Sequence, residues 1–156
     1  MTVAPREIEH RLKLFERAVH EQGLRVTHQR TEIFREILAS REHPDAEVVY
    51  QRVHERIPAI SRDTVYRTLG FLEKMGFVRR AEIRSGPARY DANLDQHHHF
   101  VCTSCGLVVD IHSKELDDIP KPDSIEAIGR ISGSQVQFQG LCKACERKKR
   151  QNEAKV

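Results

Sequence analysis

No run approaching 18 apolar residues occurs anywhere in the chain, which excludes a membrane-spanning helix. The N-terminus has no apolar core of the kind a secretory signal carries, so a cytoplasmic place is expected. No glycine-rich phosphate loop and no nucleophile motif is present, and nothing marks a small-molecule substrate pocket. An enzyme is therefore not the expectation. Cysteine is scarce, with four residues in all. The remainder is ordinary for a soluble protein, 38% hydrophobic and 31% charged, and 156 residues allow one domain or two small ones.

Charge is unevenly spread. Residues 1–90 hold 17 Lys/Arg against 13 Asp/Glu, residues 91–141 hold 3 against 8, and residues 142–156 hold 6 against 2. A basic front half suits a polyanion, and an acidic middle suits cations.

The scarce cysteines are paired in sequence. Cys102-x-x-Cys105 is answered by Cys142-x-x-Cys145, with thirty-six residues between the knuckles. Two such knuckles make a closed, tetrahedral four-cysteine zinc site of structural type. Disulfides or a redox CxxC are the rivals, and the missing secretory signal argues against disulfides. Gly106 and Gly140 flank the knuckles, where turns are expected. The same region carries harder ligands. His97 and His99 are two apart, so on a strand they face one way, with His98 on the other side at the surface. Asp91 and Asp110 flank them at a distance a hairpin could close. The bland alternative is a solvated histidine-rich strand. Thiolates suit zinc, whereas imidazole with carboxylate suits iron, manganese or zinc, so two different metal sites are expected.

Upstream, four helices are predicted. Ile8, Leu12, Phe15 and Val19 form one apolar stripe from Arg6 to about Gln22, ended by Gly23. Thr27 caps a second helix to about Ala39 that buries Ile33, Phe34, Ile37 and Leu38. A third starts near Asp45, packs Ala46, Val49 and Val53, and is broken by Pro58. Ser61 caps the fourth, with Val65, Leu69 and Leu72 inward and Gly76 after its end. Two strands follow, Phe77–Ile83 and Ala88–Tyr90, with a turn at Ser85-Gly86-Pro87. Helices followed by a basic hairpin make a winged helix-turn-helix. Arg62, Thr64, Tyr66 and Arg67 on the fourth helix would reach bases and phosphates. Arg25, Gln29 and Arg30 at the second helix would join them, and Arg79, Arg80, Arg84 and Arg89 on the wing would meet the backbone. A solvated helix face is the alternative for these arginines.

Beyond Asp91–Asp95 the pattern turns to strands, at His99–Cys102, Leu107–Ile111, Ile131 and Val136–Leu141, with short helical starts at Ser113 and Ser124. So little core implies support from zinc and a partner subunit. The fold expected is α+β: a winged helix-turn-helix over 1–90, a hinge at 91–95, a zinc-containing α/β dimerisation domain over 96–148, and a charged flexible tail over 149–156.

From Leu24 to Cys145 the chain resembles the ferric uptake regulator (Fur) family of metal-dependent bacterial repressors. The carriers are Leu24–Arg30, His43-Pro44, Asp63–Leu69, Arg89-Tyr90-Asp91, His97–Cys102 and both knuckles. His28 stands where the family commonly has proline. The resemblance implies a homodimer on a palindromic operator in double-stranded DNA, and a regulatory metal bound by His43, Asp91, His97, His99 and Asp110. Aspartate at 91 and 110 is similar to the peroxide-sensing, PerR-like branch, which uses Fe2+, or Mn2+ as the insensitive corepressor. In that branch the oxidised ligands would be His43 or His97. Gln96 and Ser134 occupy places where iron and zinc sensors carry further ligands. An iron-responsive repressor of iron-uptake genes is the alternative. A hydrolytic metalloenzyme and a metal store are the readings from other classes.

Overall fold

The computed structural model describes residues 4–40, 42–81 and 86–153. Arg84 of the expected wing lies outside the described residues, as do Ile83 and Ser85. The chain divides into two compact units, Met1–Leu94 and Asp95–Val156. Among the described residues no helix is long and apolar enough to cross a membrane.

The first unit holds α1 (Pro5–Glu21), α2 (His28–Ala39), α3 (Ala46–Arg56) and α4 (Arg62–Lys74), then β1 (Arg79–Ala81) and β2 (Arg89–Asp91). The stripes read from the sequence become the core: Leu12, Phe15 and Val19 meet Ile33, Phe34 and Ile37, with Val49, Val53, Val65, Leu69 and Leu72 closing around them. Phe15 sits at its centre, its ring 5.3 Å from Phe34 and 5.4 Å from Phe77, the latter edge-on. Such tilted pairs suit the ring quadrupole. Gly23 and Gly76 take φ of 69° and 75° just beyond α1 and α4, a left-handed turn that glycine adopts without strain. β1 and β2 pair antiparallel, Arg79 opposite Asp91.

Each of the three later helices opens on a side-chain cap. Thr27 Oγ1 accepts from the Arg30 amide, Asp45 Oδ1 from Val48 at 2.9 Å, and Ser61 Oγ from Thr64 at 3.1 Å. These bonds satisfy amides that have no intrahelical partner. Asp45→Ala should therefore lower stability by about 1 kcal/mol, while Asp45→Asn, which caps equally well, should cost far less. Urea unfolding followed by circular dichroism would measure both. Equal losses would show that the Arg89 ion pair, at 4.0 Å, matters more than the cap.

The second unit holds β3 (His98–Cys102), β4 (Val108–Ile111), α5 (Lys114–Asp117), α6 (Asp123–Glu126), β5 (Gln137–Gly140) and α7 (Lys143–Glu153). Its sheet has the order β4-β3-β5. β3 and β4 form an antiparallel hairpin around the first knuckle, His99 opposite Asp110. β5 returns parallel to β3, with Gly140 opposite Cys102, so the sheet itself carries the second knuckle up to the first. Buried apolar residues are few, chiefly Val101, Cys102 and Val108.

Four expectations need correction here. Ile131 lies in no strand, and only Gln137–Gly140 pairs. Gly106 does take the left-handed turn, φ 72°, but Gly140 lies within β5, where a Cβ would rest 3.5 Å from the Phe100 ring. The tail expected to be flexible from 149 continues α7 to Glu153, where Arg150–Glu146 (2.6 Å) and Lys149–Glu153 (4.0 Å) pair at helical spacing. His98, expected at the surface, is fully buried, its Nε2 3.1 Å from Asp117 Oδ1 and its Nδ1 accepting from the Val136 amide.

Candidate metal centres and nucleic-acid face

The thiol cluster is the simpler site. The Sγ atoms of Cys102, Cys105, Cys142 and Cys145 lie within 4.8 Å of one another, and none forms a disulfide. Cys105 and Cys142 are 3.8 Å apart. Four thiolates bonded tetrahedrally to zinc at roughly 2.3 Å would be separated by about 3.8 Å, so the residues present fit that ion. The turn after Cys102 and the start of α7 aim backbone amides at sulfur, the Cys142 N–H reaching Cys102 Sγ at 3.3 Å. Amides from Cys105 and Cys142 push the Cys102 thiol down to about 6. Cys145 goes the other way. A bond from Ser104 lowers it, but the crowding thiols Cys142 and Cys105 outweigh that and raise it to about 11. Four thiols this close cannot all ionise alone, and a divalent cation removes that conflict.

The imidazoles and carboxylates fall in both units. In the first unit, His43 takes φ 48°, a left-handed conformation uncommon outside glycine and tolerated by histidine. The turn is tied to β2, because Tyr90 N–H donates to the Pro44 carbonyl and Arg89 Nη1 to the His43 carbonyl. This seats His43 Nε2 3.4 Å from Asp91 Oδ2. The Asn93 amide holds the other oxygen, Oδ1, at 2.7 Å. Both side chains are buried.

In the second unit, His97 just before β3 and His99 within it turn their rings together. Their Nε2 atoms are 3.0 Å apart, and lie 3.7 and 3.6 Å from Asp110 Oδ1 on the paired strand. His97 Nδ1 is 2.8 Å from the Asp95 carbonyl, which can only accept, so a neutral His97 keeps its proton on Nδ1 and offers Nε2 as a metal-ligating atom. Two imidazoles in adjacent positions on one ion, bonded at about 2.1 Å, would have this 3.0 Å spacing. The donor set, nitrogen and carboxylate oxygen without sulfur, fits Fe2+, Mn2+ or Zn2+.

Five of the nucleic-acid candidates of the first unit are brought together. Arg25, Gln29 and Arg30 of the α2 start and Thr64 and Arg67 of α4 line a cleft of about 490 Å³. Tyr66, also on α4, is 55% exposed. Arg67 pairs with Asp63 at 2.9 Å, Arg30 lies over the Phe71 ring at 4.5 Å, and Arg62 is gripped by Glu47. On the hairpin, Arg80 pairs with Glu73 at 3.3 Å and Arg79 donates to the Leu94 carbonyl. Sequence reading missed His98 and Glu47. A histidine at the alternate strand position and a glutamate in the first turn of α3 carry no signal until their partners, Asp117 and Arg62, are brought near.

Compared with known proteins, the chain matches the model of the ferric uptake regulator family over residues 21–131. It is 30% identical over 148 residues to the peroxide-responsive repressor PerR of Staphylococcus aureus, covering 95% of this chain and 100% of that protein. The Helicobacter pylori ferric uptake regulator, with three functional metal-binding sites, superposes with a TM-score of 0.77 at 24% identity, covering 89% of this chain and 93% of that one. A zinc uptake regulator complexed with zinc and DNA superposes with a TM-score of 0.62 at 25% identity over 92% and 97% of the two chains.

Proposed function

Since this chain belongs to the ferric uptake regulator family and is thereby a metal-dependent regulator, we propose that it is a DNA-binding repressor that senses peroxide at its imidazole–carboxylate site. Asp91 and Asp110 carry the reading: both carboxylates are aspartates, each within 4 Å of a histidine Nε2, and a peroxide-responsive repressor is similar over its whole length. Cys102, Cys105, Cys142 and Cys145 hold a structural Zn2+ that stabilises the dimerisation domain. His43 and Asp91 from the winged-helix domain, with His97, His99 and Asp110 beyond the hinge, hold one regulatory Fe2+ or Mn2+. Ligands drawn from both domains set the angle between heads and dimer core. Two heads of a homodimer then fit half-sites of a palindromic operator about 34–36 Å apart. Arg25, Gln29, Arg30, Arg62, Thr64, Tyr66, Arg67, Arg79 and Arg80 supply the contacts. The protein acts in the cytoplasm, where the DNA is.

Fe2+, when bound, supplies the electrons that turn peroxide into an oxidant of a neighbouring imidazole. His43 and His97 are the imidazoles that would gain oxygen, and either change weakens the ligand set and relaxes repression. Mn2+ would support repression without that sensitivity. Protein reconstituted with Fe2+, exposed to peroxide and mapped by peptide mass spectrometry should show one added oxygen at His43 or His97, and none after Mn2+ loading. Unmodified histidines with DNA binding retained would instead identify an iron-responsive repressor.

A further inference from the structure

Arg62, the first residue of α4, is held on two sides by its neighbours. Its Nε and Nη2 donate to the two carboxylate oxygens of Glu47 at 2.9 and 2.8 Å. Its guanidinium carbon lies 4.2 Å from the centre of the Tyr50 ring. Both partners sit on α3, the helix that precedes α4 across the turn at 57–61. The guanidinium is thus fixed along one edge by a carboxylate and across one face by an aromatic ring. Its far edge, Nη1 and the second Nη2 proton, is not taken up by Glu47, and the side chain is 59% exposed. The pair is a true ion pair, since the Arg62 bond holds the Glu47 carboxyl below its ordinary range.

Resting on the DNA-binding reading above, we propose that Arg62 reads a guanine in the major groove and that Glu47 is its positioning residue. Two arguments favour a base over a phosphate. The far edge of a guanidinium offers two parallel N–H groups that match guanine O6 and N7, the commonest specific arginine contact, and recognition-helix N-termini are where base contacts are made. Glu47 also brings a negative charge within 3 Å of the guanidinium. That charge repels the full charge of an approaching phosphate more strongly than the acceptor edge of a neutral base. Clamping the side chain beforehand removes rotamer freedom that binding would otherwise cost.

The test is selection from a duplex library with a randomised core, using the full-length protein loaded with Zn2+ and Mn2+. The wild-type protein should enrich half-sites containing one G·C pair that resists exchange. Arg62→Ala and Arg62→Lys should each cut preference for that pair by about 5- to 150-fold, with the salt dependence of binding unchanged. Glu47→Gln should weaken the preference in part and raise affinity for random DNA. The inference is overturned if Arg62→Ala keeps every base preference but flattens the salt slope by about one, the mark of a phosphate contact. It is equally overturned if Glu47→Gln raises affinity for all sequences alike with preference intact, because Glu47 would then only mask Arg62. Enrichment of no sequence by the wild-type protein would sink the DNA-binding reading itself.

Discussion

Cys142→Ser should lose the zinc and, with it, the folded state of the second unit. That unit buries few apolar side chains, chiefly Val101, Cys102 and Val108 around its three-stranded sheet. A domain's net stability is typically about 5–15 kcal/mol, and apparent zinc affinities in small zinc-dependent peptides are about 10–16 kcal/mol. Removing the ion therefore takes away at least as much as there is to lose. Metal analysis should find zinc falling from one per chain to near none. Circular dichroism should show loss of strand signal while the Phe15–Phe34–Phe77 core of the first unit still melts cooperatively. A zinc-free variant with wild-type melting in both units would show that the cysteines are not structural.

His43→Ala should separate regulation from folding. The side chain is buried against Asp91 and lies in a turn tied to β2, yet it is not part of the cluster of Leu, Ile, Val and Phe residues that holds α1–α4 together. Regulatory coupling in such systems is typically about 1–3 kcal/mol, a 5- to 150-fold gain in affinity when the effector binds. In gel-shift titrations against the enriched operator, the variant should lose that Mn2+-dependent gain while keeping one zinc per chain and its dimeric mass. Its salt dependence should not change, since the contacts to phosphate are elsewhere. A variant with undiminished response to Mn2+ would remove His43 from the ligand set and the proposed clamp with it.

What the sequence made legible, and what it did not, follows the range of the interactions. The four helices of the first unit were readable because their apolar stripes, their caps at Thr27 and Ser61 and their glycine ends are local signals. The thiol cluster was readable because only four cysteines exist and their two knuckles have the same spacing. His98 was misjudged because alternation along a strand says which side a residue faces, not what covers that side. Here α5 and the run into β5 close over it, through Asp117 and Val136, nineteen and thirty-eight residues away. Gly140 carries a turn signal in its own segment, but the parallel pairing of β5 with β3 needs both partners in view. The grip of Glu47 on Arg62 spans fifteen residues and two helices, and neither residue is unusual in its own segment.

The parallel pairing of β3 with β5 also has a bearing on how the chain leaves the ribosome. His97, His99, Cys102 and Cys105 emerge before the strand β5 and the second knuckle, and thirty-six residues separate Cys105 from Cys142. At synthesis rates of about 5–20 residues per second, that leaves an interval of roughly two to seven seconds. During it two thiols and two imidazoles stand close together in sequence with no folded scaffold to sort soft metal from hard. The four-thiol site is complete only once β5 has carried Cys142 and Cys145 up to the first pair, so an ion can be enclosed by all four thiols only near the end of synthesis.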